Sequence, residues 1–94
     1  MREAEIEAYL RKRVDAMGGK AYKFVSPGNV GVPDRMIVFT GGKIIFAELK
    51  APGKPPGLKQ LLQQGRLRDF GFIVYGCVDS KAAVDAMLRE VMSR

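Results

Sequence analysis

The sequence predicts an α/β domain in which a mixed four-stranded sheet is flanked by helices, in the order αβββαβα. Three observations carry this. Two β-rich runs, Met36-Ile37-Val38-Phe39 and Ile44-Ile45-Phe46, face each other across Gly41-Gly42. A third such run, Phe72-Ile73-Val74-Tyr75, follows a helical segment. Two further stretches with apolar residues at helical spacing open and close the chain.

Taken in order, residues 2–17 read as an amphipathic helix, because Ile6, Leu10, Val14 and Met17 recur at helical spacing and Gly18-Gly19 ends the run. Residues 21–25 form a short strand that Ser26-Pro27-Gly28-Asn29 breaks. Residues 34–40 and 43–50 make a tight hairpin turning between Gly41 and Gly42, with runs so apolar that both faces are expected to be covered by helices or by a partner. The Pro- and Gly-rich stretch 51–57 is a loop. Residues 58–70 read as a second helix with Leu58, Leu61, Leu62, Leu67 and Phe70 inward, closed by Gly71. Residues 72–75 form the fourth strand, and Ser80 caps a last helix that runs through Met92. The strand before the second helix and the strand after it are then parallel, and the first three strands form an antiparallel meander.

With 94 residues, the chain fits one domain spanning 1–94. A single cysteine, Cys77, allows no intrachain disulfide. No apolar run follows the acidic amino terminus and no stretch is long enough to span a bilayer, so a soluble, cytoplasmic protein without membrane contact is expected. The net charge of +6 suits a polyanionic partner. Histidine is absent, which excludes triads with a His base, two-histidine zinc sites and histidine-metal nucleases. Any hydrolysis must rest on carboxylates, lysine and a hard metal.

Asp34 opens the second strand, while Glu48 and Lys50 close the third. Strand side chains alternate, so Glu48 and Lys50 share one face and Leu49 takes the other. A turn between Gly41 and Gly42 pairs Asp34 near residue 49, beside both charges. Adjacent carboxylates repel unless a divalent cation lies between them, which points to magnesium. Glu3 falls on the apolar face of the first helix with Ile6, Leu10 and Val14, Glu7 lies at its edge, and either can be the helix acid, with Glu3 preferred. Lys23, Ser26 and Asn29 flank the loop before Asp34, and Lys54 and Lys59 flank the loop after Lys50, as candidate phosphate contacts.

The order Gly31-Val32-Pro33-Asp34-Arg35, then Glu48-Leu49-Lys50, strongly resembles the PD-(D/E)xK nuclease signature. More narrowly, the chain is similar to the VRR-NUC (virus-type replication-repair nuclease) family, in which a first-helix Glu, a Gly-x-Pro-Asp turn, a Glu-x-Lys strand end and a helix bearing a Gln recur in this order. The resemblance spans nearly the whole chain and implies a restriction-endonuclease-like αβββαβ(α) core. It implies that Asp34 and Glu48 hold Mg²⁺, replaceable by Mn²⁺, with the Leu49 carbonyl as a further oxygen ligand. Lys50 is implied to position or activate the attacking water, with Glu3 and Gln60 as accessory residues, and the products to carry a 5′-phosphate and a 3′-hydroxyl. Isolated members look like Holliday-junction resolvases that act as homodimers, so the resemblance implies branched DNA as substrate and a second copy as partner. Two other readings stand beside it: a basic nucleic-acid-binding module without catalysis, and a nuclease of the same fold acting on flaps or RNA.

Overall fold

Ile6, Leu10 and Val14 are fully buried in the computed structural model, which describes residues 2–94, and they form the inner face of helix α1 (Glu3–Ala16). They pack on a sheet of β1 (Lys20–Lys23), β2 (Arg35–Phe39), β3 (Lys43–Leu49) and β4 (Ile73–Val78), which lie side by side in chain order. The first three strands pair antiparallel, and β4 pairs parallel to β3 after a crossover through α2 (Leu58–Asp69). Helix α3 (Lys81–Met92) returns beside α1, with the Ser80 hydroxyl accepting from the Ala83 N–H at 3.0 Å. Its Val84, Met87, Leu88 and Val91 join Ile37, Phe39, Ile45, Ala47, Leu49 and Val78 in one continuous core. The α/β class and the αβββαβα order thus stand as the sequence predicts.

Three local features depart from expectation. First, Phe39 pairs with Lys43, so Thr40-Gly41-Gly42 make a three-residue turn, with Gly41 and Gly42 at φ +88° and +78°. The hairpin register therefore sits one residue from the one expected. Arg35 lies opposite Ala47, and one step further out Asp34 faces Glu48 rather than residue 49.

Second, α2 is turned over. Leu58, Leu61, Leu62 and Phe70 are exposed, and the residue buried against the sheet is Gln64. The reason is polar: β4 is an edge strand whose Val74 and Gly76 carbonyls need donors, and Arg68 and Gln64 supply them at 2.9 and 3.1 Å. A Cβ at Gly76 would run into the Gln64 carboxamide, so the helix rests on the space that glycine leaves.

Third, β4 extends to Val78, beyond the expected Tyr75, and contains an irregularity. Ala47 pairs with Tyr75 but Leu49 pairs with Val78, so one extra residue of β4 is accommodated beside Glu48. The extra residue returns Val78 to the core face that Ile73 and Tyr75 also meet. On the other face, Phe46 meets Phe24 and Phe72 with ring centroids 5.4 Å apart in each pair. Met36, Val38 and Ile44 are only half-buried there, so this face is sealed less completely than the one under α1 and α3.

Candidate active site

Alternation places Asp34, Met36 and Val38 on one face of β2, and Phe46 and Glu48 on the same face of β3. Asp34 and Glu48 are locked to each other through the backbone. The Asp34 N–H donates to Glu48 Oε1 at 3.2 Å, and the Leu49 N–H donates to Asp34 Oδ1 at 3.0 Å. Lys50 Nζ lies 3.9 Å from Glu48 Oε2, with its side chain 19% exposed. Its own N–H is held by the Val78 carbonyl at 3.0 Å, which fixes the strand end just past the β4 irregularity. Gln60 reaches down from the first turn of α2. Its Nε2 donates to Glu48 Oε2 at 3.1 Å, and its Oε1 accepts from the Gly57 N–H at 2.9 Å. That second bond satisfies a free helix-start donor, so the cap and the site share one side chain.

The electrostatics are those of carboxylates crowded away from water. Burial, followed by the charge of Asp34, pushes Glu48 up from the ordinary 4.5 to about 7, against the opposing pull of Lys50. Burial likewise raises Asp34, although the Leu49 N–H and the Arg35 guanidinium favour its charged form. The charge of Glu3, an exposed residue in the first turn of α1, bears on both groups in the same sense. Glu7 is engaged elsewhere, with Oε2 2.6 Å from Arg35 Nη2.

Asp34, Glu48, Lys50 and Gln60 thus come together at one end of the hairpin, and Glu3 bears on them only through its charge. The Leu49 side chain is buried in the core, leaving only its backbone at the site. The loop residues are more dispersed. Lys23 shares the alternation of Ala21 and Arg35 and leaves the sheet on the α1 side, away from the Asp34 face. Asn29 and Ser26 bond to each other, side chain to side chain at 2.9 Å and backbone to backbone at 3.0 Å. Lys54 and Lys59 are exposed, in the loop after β3 and in the first turn of α2.

The glycine of the Gly31-x-Pro33-Asp34 turn has a steric reason to be there. Its φ is +98°, and a Cβ would come 2.6 Å from the Lys59 carbonyl carbon and oxygen and 2.9 Å from the Gln60 nitrogen. The backbone of α2 rests on this turn, and that approach lets Gln60 reach Glu48. Gly31→Ala is expected to cost about 2–4 kcal/mol in chemical denaturation, from backbone strain and overlap together.

Sequence reasoning passed over Arg35, which is 6% exposed and tied to Glu7 and to the Asp34 carbonyl. The available signal was its place in line with Ile37 and Phe39, a cation on the buried side of an alternating strand.

No family model matches the chain. Over 71 residues it is 52% identical to "Putative nuclease p44" of Acyrthosiphon pisum secondary endosymbiont phage 1, a match covering 76% of this chain and 76% of that protein. A solved structure of a VRR-NUC domain superposes with a TM-score of 0.86 at 31% identity, over 93% of this chain and 94% of the other.

Proposed function

Since the chain belongs to the VRR-NUC family, we propose that it is a divalent-metal-dependent endonuclease that hydrolyses DNA phosphodiester bonds, with branched DNA such as a four-way junction as its substrate. The observation that carries this reading is the Asp34–Glu48 pair, two carboxylates set side by side in a half-dry niche with Lys50 3.9 Å away. Burial raises both carboxylates, and a bound cation would favour their charged forms.

The donor set suits magnesium, with manganese able to replace it. Among the described residues no three acidic, histidine or cysteine side chains gather at one point. Two carboxylates with a backbone carbonyl leave room for the waters and phosphate oxygens that this cation keeps around it. Asp34, Glu48 and the Leu49 carbonyl are the proposed ligands. When bound, the cation supplies Lewis-acid polarisation of the scissile phosphate and a more acidic water.

The protein's own groups do the rest. Lys50 holds the attacking water by its ammonium and offsets the negative charge that builds on the phosphorus oxygens. Gln60 fixes Glu48 Oε2 so that Oε1 stays on the Asp34 side. Glu3, whose charge reaches the same pair, is proposed as an acceptor for water protons there. Ser26, Asn29, Lys54 and Lys59, in the loops that flank the site, are proposed to meet the DNA backbone, while Lys23 points to the other side of the sheet.

A homodimer is part of this reading. Leu58, Leu61 and Leu62 leave an apolar flank of α2 open, which a second copy of the chain could cover, and two sites would then cut two strands. No helix among the described residues is long and apolar enough to cross a membrane.

The test is a comparison of labelled four-way junction, linear duplex, flap and RNA, each with Mg²⁺. Faster cutting of the junction is the expected result. Preference for flap or RNA would move the substrate while keeping the site, and binding without any cutting would make the protein a non-catalytic module.

A further inference from the structure

Arg35 presents an arrangement that the catalytic reading leaves unexplained. A buried guanidinium beside a carboxylate ordinarily closes on it through two parallel hydrogen bonds. Here it does not. Arg35 Nη1 donates to the main-chain carbonyl of Asp34 at 2.8 Å, and it stays 3.5 Å from Asp34 Oδ2, outside good hydrogen-bond range. Its Nη2 is taken by Glu7 Oε2 at 2.6 Å, one strong charged contact from α1. The pull of Glu7 is what turns the fork toward the helix. Of the two Asp34 oxygens, Oδ1 is occupied by the Leu49 N–H, and among the described residues Oδ2 meets only the Arg35 guanidinium at 3.5 Å.

We infer that Glu7 is a positioning residue that retains the Arg35 guanidinium and so keeps Asp34 Oδ2 open to a divalent cation. The assignment rests on the metal-dependent reading above. Glu7 does a second thing by the same contact: it neutralises Arg35 locally, so that a cation approaching Asp34 does not meet an uncompensated positive charge across 3.5 Å. A purely structural pair between α1 and β2 would also hold these elements together, and it would leave metal affinity alone. The two roles therefore separate on metal binding in the free protein.

Mn²⁺ binding to the protein without DNA, followed by electron paramagnetic resonance of the free ion, is the measurement. The side chain of Glu7 is 34% exposed, so Glu7→Gln keeps its shape at a site where folding tolerates the change. This variant is expected to bind Mn²⁺ about ten-fold more weakly, the scale of altering a partner of a metal ligand. The released guanidinium closes on Asp34 and competes with the ion. Adding Arg35→Met to the same protein removes the competitor and is expected to restore affinity to within about three-fold of the parent, since apolar replacement of a buried pair is commonly neutral for folding. Unchanged affinity in Glu7→Gln, or a loss that Arg35→Met does not reverse, overturns the inference while the parent protein still binds Mn²⁺. A parent protein that binds no Mn²⁺ overturns the metal reading itself, and this inference with it.

Discussion

Lys50→Met is expected to lower the single-turnover rate of phosphodiester cleavage about 10²- to 10³-fold at saturating Mg²⁺, with DNA affinity changed only a few-fold. Methionine keeps the length and apolar stem of the side chain, which is 19% exposed, so packing at the strand end is preserved. What disappears is the one ammonium that, among the described residues, pairs with Glu48, 3.9 Å from its Oε2. Charge developing on the phosphate oxygens then has no fixed counterpart on the protein. The backbone that presents residue 50 is pinned independently by the Val78 carbonyl, so the effect reads the ammonium and not the strand. Quench-flow or gel-resolved single-turnover kinetics, with fluorescence anisotropy for binding, measures both quantities. A rate within about three-fold of the parent, far short of a lost charge stabilisation, would remove Lys50 from the chemistry.

Glu48→Gln is expected to abolish cleavage and, without metal, to stabilise the protein at pH 8. The carboxyl is about 7 in the folded protein against an ordinary 4.5. A raised acid works against the fold whenever it must ionise there: the unfolded chain releases the proton from about pH 4.5 upward, the folded one only near 7. The metal-free protein therefore loses stability between those values, and Asp34, raised in the same direction, adds to the trend. The neutral amide escapes that loss. It keeps an acceptor for the Asp34 N–H but turns an NH₂ toward Gln60, so the net gain is about 1 kcal/mol, or roughly 4–8 °C in Tm for a domain of this size. At pH 5, where Glu48 is already largely protonated when folded, parent and variant should melt much closer together. Calorimetry at the two pH values checks the sign, and a variant less stable than the parent at pH 8 would contradict it.

Alternation accounts for most of what could be read without coordinates. A period of two on strands that flank a glycine turn is enough to gather Asp34, Glu48 and Lys50, and the structure moves the register by one residue without parting them. The shift lay beyond the pattern because two- and three-residue turns through Thr40-Gly41-Gly42 differ in backbone geometry, not in residue type. Helix α2 was misleading for a physical reason. Leucines at helical spacing mark an apolar stripe, but which stripe faces the sheet was decided by the carbonyls of an edge strand, and those drew Gln64 and Arg68 inward. The length of β4 was obscured by Gly76 and by the extra residue beside Glu48. Arg35 was legible only as an anomaly, a cation among buried alternating positions whose partner Glu7 lies 28 residues away in sequence.

Whether Asp34 and Glu48 form a cation site that drives DNA hydrolysis is decided by following cleavage of a labelled DNA as Mg²⁺ is titrated in and then withdrawn with EDTA, with Glu48→Gln run alongside. Saturable dependence on Mg²⁺ in the parent protein, full arrest on chelation, and no cleavage by the variant at any Mg²⁺ concentration are the expected results. Cleavage that survives EDTA, or a variant that cuts as the parent does, would contradict such a site.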